Sequence, residues 1–345
     1  MTLTRIPSDR RNVFFDHDGS VDDLLSLLLL VSMEDIEIAG VSITPADCYP
    51  EYAFETTWKL LRLTNKSNVE IGIGDFYGIN AFPSAWRAKP KILNAFPDLI
   101  NFNMPDVFGT APEAVELMLK KLTESETSVT IMLTGPCSNL VKAIKKHPSI
   151  LNKIEHVVWM AGAVDVPGNV VTYNHRGTAE WNVFWDPVSA SELLKYDLNI
   201  SIVPLDVTNR VPVTFDFLKQ LSARKSSFFC NLACQFWATT VDTIPSYDYI
   251  YFMWDVLATS YLAIPEIFKT EKLELDIVPT GYDAGRTYRK KNCGQWVNVV
   301  KEVNLEKFYS YIVNQFEKME ASQMNPAIDD YLSPFDCFSG SGAAR

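Results

Sequence analysis

No stretch of this chain is apolar for long enough to cross a bilayer. The longest apolar run, residues 24–31, is interrupted by Ser26 and falls well short of the roughly 20 residues a spanning helix needs. The first twelve residues, MTLTRIPSDRRN, carry three arginines but no apolar centre, so they do not read as a secretory signal. A basic surplus is also missing. The formal net charge is -11 over 345 residues, whereas a nucleic-acid partner selects basic faces that release counterions. Neither a nucleic acid nor a membrane is therefore expected as partner. The six cysteines (Cys48, Cys137, Cys230, Cys234, Cys293, Cys337) contain no C-x-x-C pair, so neither a zinc knuckle nor a disulfide framework is signalled. Reduced thiols and a cytoplasmic location follow as the expectation. Repeats, low-complexity tracts and linkers are absent as well. One domain over residues 1–345 is expected, with a core of about 12–325, a short N-terminal extension and a mobile tail at 339–345.

What is present is a soluble, core-forming composition, 47% hydrophobic and 21% charged. Strands are expected at 12–15, 36–44, 69–73, 128–134 and 156–161, alternating with helices at 24–33, 52–63, 112–122 and 137–146. Such alternation implies right-handed crossovers and an α/β fold with a Rossmann-like, mostly parallel sheet covered by helices. Beyond 210 the pattern turns helical (215–221, 228–241, 252–263), before strands at 273–278 and 296–303 and a helix at 305–319. In parallel sheets ligands bind at the carboxyl ends of the strands. Asp16 and Asp18 follow the first expected strand and Asp47 the second, Thr134 ends the fourth, and Asp206 follows the run Ile202-Val203-Pro204-Leu205.

The octet Asp16-His17-Asp18-Gly19-Ser20-Val21-Asp22-Asp23 puts four carboxylates in one short loop. Like charges so close repel and raise one another's pKa unless a cation neutralises them. A capped turn is the plainer reading, with Asp22 and Asp23 at a helix N-terminus. All-oxygen donors point to Ca²⁺ or Mg²⁺. An EF-hand is excluded, since Val21 and Leu27 occupy the positions that need Gly and Glu.

Two resemblances follow. Asp16-His17-Asp18-Gly19-Ser20 resembles the strand-end motif of haloacid-dehalogenase-like phosphatases, which would make Asp16 a nucleophile and Mg²⁺ the cofactor. That scheme leaves Asp22 and Asp23 idle, and no lysine motif accompanies it. The second resemblance spans most of the chain. Asp16, Asp18, Asp22 and Asp23 match the first loop of the nucleoside hydrolases, and Thr134-Gly135-Pro136-Cys137-Ser138-Asn139 resembles their Thr-Gly-Pro-x-x-Asn strand end. Met160 to Val164, Gly168-Asn169, Ala179-Glu180-Trp181-Asn182 and the late Trp254-Asp255 follow in that family's order. Trp254-Asp255, together with Asn80-Ala81-Phe82-Pro83-Ser84-Ala85-Trp86-Arg87 and Ala46-Asp47-Cys48, is similar to the inosine-adenosine-guanosine-preferring branch.

The resemblance implies a nucleoside hydrolase fold and a homodimeric purine nucleosidase of purine salvage, with one Ca²⁺ per active site. Asp18, Asp23, Asp255 and the carbonyl of Thr134 would hold the metal, and Asp18 would also activate the attacking water that the metal holds. Asp22, Asn169, Glu180 and Asn182 would bind the sugar, with Met160 against its ring, and Asp47 would contact the base. Trp86 and Trp254 would stack on the purine and raise its basicity, since no histidine adjoins Asp255. Two departures stand out. Ser20 replaces a common asparagine in the loop, and the segment before Trp254 lacks an arginine, leaving Tyr249 or Tyr251 to close the pocket.

Overall fold

The computed structural model describes residues 10–84, 86–102, 104–241, 250–292 and 294–322. Tyr249, the N-terminal extension and the tail lie outside them. Strands run β1 (Arg11–His17), β2 (Ile36–Ile43), β3 (Ile71–Ile73), β4 (Val129–Leu133), β5 (Ile154–Trp159), β6 (Ile200–Ile202), β7 (Phe268–Ile277), β8 (Thr287–Arg289) and β9 (Gln295–Val303). They form one sheet in the order β3-β2-β1-β4-β5-β6-β9-β7-β8. From β3 to β9 each pair is parallel, and β7 runs antiparallel to both β9 and β8. This is the α/β fold expected from the alternation, in a single domain.

The sheet sits between two helical layers. Helices Val21–Ser32, Phe228–Ala238, Trp254–Ser260 and Leu305–Ser322 supply the core on one face. Ala114–Glu124, Ser138–Lys146 and Pro187–Leu193 cover the other. With both faces covered, a central strand is apolar throughout its middle, and Val13, Phe14 and Phe15 are indeed at most 1% exposed.

From β1 the chain steps outward to β2 and β3, then returns to β4 on the opposite side of β1. That reversal opens a crevice between the carboxyl ends of β1 and β4. The loop leaving β1 is shaped by Gly19, whose φ of +86° favours glycine and whose added Cβ would lie 2.4 Å from the Cβ of Ala53. The following helix starts on a capping box: Ser20 Oγ accepts from the Asp23 amide at 3.4 Å, and the Asp23 carboxylate accepts from the Ser20 amide at 2.7 Å.

Candidate active site

Four acids from distant parts of the chain face one cavity of about 480 Å³: Asp18 from the β1 loop, Asp47 beyond β2, Glu180, and Asp255 from helix Trp254–Ser260. Asp18 is 3% exposed and Asp255 6%. Burial, then the neighbouring charges of Asp23 and Asp47, push the Asp18 carboxyl well above its ordinary range. Burial and Asp23 do the same to Asp255. Among the described residues, the one backbone donor to the Asp18 carboxylate is the amide of Asp47 at 3.3 Å.

The other acids of the loop turn inward. Asp22 is fully buried and does not line the cavity. One of its oxygens accepts from Trp237 Nε1 at 3.2 Å, the other from the amides of Asp255 at 2.6 Å and Val256 at 3.0 Å. It therefore holds the N-terminus of the helix that carries Asp255. Asp23, also buried, accepts from Ser20 and from the hydroxyl of Thr134. Asp16 is 1% exposed and does not line the cavity, with one oxygen held by Thr44 and Asn139, each at 3.2 Å. Burial raises its pKa to about 7. A carboxylate so enclosed offers no accessible nucleophile, which removes the physical basis of the phosphatase scheme.

A second wall is built around Asn182. Its amide nitrogen donates to the carbonyls of Thr134 at 3.0 Å and Met160 at 3.1 Å, tying the ends of β4 and β5 together. Glu180 accepts from the amides of Gly162 at 3.0 Å and Asn182 at 2.8 Å while still lining the cavity, and burial lifts its pKa to about 7. Asn169 brings a buried Oδ1 that has no partner among the described residues, and Met160 lines the same cavity. Asp206, outside the cavity, accepts from the amides of Val164 at 2.8 Å and Asp165 at 3.0 Å and so fixes the loop leading to Asn169. Asp186 caps the next helix through the amide of Ser189 at 3.0 Å.

The third wall is aromatic. Trp86 meets Trp181 edge to face at 5.5 Å, and Phe82 stacks on Trp181 at 5.0 Å. Opposing contacts fix Trp254, against Tyr251 at 4.7 Å and Phe252 at 5.8 Å. Buried Nε1 atoms of Trp181 and Trp254 have no partner among the described residues. Trp181, Phe82, Lys89 and Thr240 also line the cavity, though sequence reasoning assigned them no role. Trp181 had a signal, standing between Glu180 and Asn182, and Lys89 one in following Trp86 by three residues.

The donor chemistry suits a hard cation: buried oxygens from Asp18, Asp23 and Asp255, mutually repelling, beside the Thr134 carbonyl. Among the described residues, however, no three Asp, Glu, His or Cys side chains are grouped closely enough to hold an ion as they stand. Asp23 already shares a hydrogen bond with the Asp18 carboxyl while accepting from Ser20 and Thr134.

The family model described as inosine-uridine preferring nucleoside hydrolase matches residues 13–310. A crystal structure of an inosine-uridine preferring nucleoside hydrolase from Bacillus anthracis superimposes with a TM-score of 0.81 at 32% identity, covering 89% of this chain and 99% of that one. A pyrimidine-specific ribonucleoside hydrolase from Klebsiella pneumoniae is 26% identical over 288 residues, 80% of this chain and 87% of that protein. A purine-preferring ribonucleoside hydrolase from Gardnerella vaginalis, 19% identical with a TM-score of 0.73 over 90% of this chain and 99% of that one, shares the fold.

Proposed function

The chain belongs to the family of inosine-uridine preferring nucleoside hydrolases, and on that premise we propose that it cleaves purine ribonucleosides to free base and ribose. The observation that carries the purine reading is the aromatic wall, with Trp86, Trp181 and Trp254 lining the same cavity as Asp18 and Asp255. Two-ring bases present more face to stack than one-ring bases. A pyrimidine reading has support too, because the Klebsiella pneumoniae relative is described as pyrimidine-specific. Incubating the protein with inosine, adenosine, guanosine and uridine and measuring reducing sugar decides between them. Faster release from uridine than from every purine nucleoside would overturn our reading.

In this scheme Asp18, facing the cavity from the β1 loop, takes a proton from the water that attacks the anomeric carbon. Glu180, Asn182 and Asn169 bind ribose hydroxyls, Met160 packs on the sugar, and Trp86 and Trp254 flank the base. Asp47 contacts the base, and Tyr251 and Ser20 border the entrance. Asp18, Asp23, Asp255 and the Thr134 carbonyl would hold Ca²⁺. Bound there, the cation would neutralise the carboxylates and supply positive charge toward the attacking oxygen. A cytoplasmic homodimer is part of the proposal by resemblance alone, and light scattering checks the assembly.

Stacking is worth roughly 1–3 kcal/mol per base. Trp254→Ala should accordingly lower kcat/KM for inosine by roughly ten- to a hundredfold, with a markedly smaller loss on 4-nitrophenyl riboside, whose leaving group needs no activation. Equal losses on both substrates would contradict the stacking role.

A pH effect is expected when the protein is kept in chelator. Asp16, Asp22 and Glu180, with ordinary values of 3.8, 3.8 and 4.5, are each raised to about 7 by burial. Between about 4 and about 7 the folded chain then binds more protons than the unfolded chain, so stability falls as pH rises through that window. Melting should occur at a higher temperature at pH 5 than at pH 7.5 in chelator, and added calcium should close the gap. A chelated protein that melts higher at pH 7.5 would contradict this.

A further inference from the structure

Among the described residues, Lys89 is the one basic side chain lining the cavity, against four acids. Its backbone amide donates to the carbonyl of Trp86 at 3.1 Å, which places it one turn beyond that ring, at the aromatic end. The ammonium reaches the carbonyl of Thr239 at 3.2 Å, next to Thr240 in the cavity wall. Among the described residues no ion pair accompanies that hydrogen bond. An ammonium has three donors, and a backbone carbonyl uses one. A lysine half-buried beside an aromatic wall, with donors to spare and no ion pair among the described residues, is suited to meet the acceptor edge of a flat ligand.

We propose that Lys89 contacts the leaving base and favours 6-oxopurines, an inference that rests on the purine reading above. Guanine presents two acceptors on that edge, N7 and O6, and hypoxanthine shares them, whereas adenine offers N7 beside an amino donor that opposes an ammonium. As the C1′–N9 bond breaks, its electron pair moves onto the base. The Lys89 charge stabilises the base there while keeping its own proton, and the proton that neutralises the base comes from solvent. This supplies, in part, the leaving-group assistance for which no histidine stands beside Asp255.

The test compares Lys89→Met and Lys89→Arg with the wild type on inosine, adenosine and 4-nitrophenyl riboside. A hydrogen bond from a charged donor corresponds to roughly a ten- to hundredfold loss. Lys89→Met should lose that much kcat/KM on inosine and several-fold less on the other two substrates, while Lys89→Arg recovers most of the inosine rate. An equal fall on all three would show that Lys89 only tethers Thr239, and an unaffected inosine rate would also overturn the assignment. A wild type that cleaves uridine but not inosine ends both readings. One that cleaves inosine with an undiminished Lys89→Met variant ends only this one.

Discussion

Replacing Asp18 with alanine is expected to lower kcat on any cleaved nucleoside by roughly 10²–10⁴-fold, the usual contribution of a positioned general base. Stability should move the other way. The Asp18 carboxyl is raised by burial and by Asp23, Asp47 and Asp255, so at neutral pH its ionised form is a cost to the folded chain. Against this, the one backbone donor it holds among the described residues is the Asp47 amide at 3.3 Å. In chelator the variant should therefore melt no lower than the wild type. Strain of this kind is retained for function, as at other sites where like charges are gathered. More than a tenth of wild-type kcat in the variant, or a lower melting temperature in chelator, would count against the assignment.

Asp22→Ala should do the opposite to stability, although Asp22 is four residues away and of the same type. Its burial also raises the carboxyl, but its oxygens receive Trp237 Nε1 and the amides of Asp255 and Val256. Removing them leaves three buried donors without partners, a loss of about 3–5 kcal/mol by analogy with other broken buried networks. For a chain of this size that corresponds to a melting temperature lower by roughly 4–7 °C. Activity should fall with it, because the helix presenting Asp255 loses its anchor. If Asp22→Ala melts like the wild type and changes only KM, its role is contact with the sugar and not support of that helix.

The contrast between these two aspartates shows where the sequence stops informing. An apolar strand followed at once by acids and then by an apolar helix is legible, because each step changes the periodicity. That ligands bind at the carboxyl ends of a parallel sheet is legible too, since alternating strands and helices force parallel pairing, whereas the β1–β4 adjacency that opens the crevice is not. Which carboxylate faces the cavity is not. Asp22 meets the amide of a residue 233 positions later, a relation that no local pattern encodes. Short elements escaped for a related reason. Trp181–Trp185 is five residues long, too few to display helical period, and β8 spans three, defined only by pairing with β7. Two expected strands near the C-terminus thus became three, added to the same sheet.

The aromatic wall has an optical consequence. Three of the chain's eight tryptophans, Trp86, Trp181 and Trp254, border the cavity, while Trp159, Trp185 and Trp237 are at most 1% exposed and lie apart from it. Indole emission responds to stacking and to local polarity. A base entering the cavity would replace water against three emitters at once and leave the buried ones as a steady background. Ribose alone would barely disturb them, so the protein's own fluorescence separates recognition of the base from recognition of the sugar without any added label.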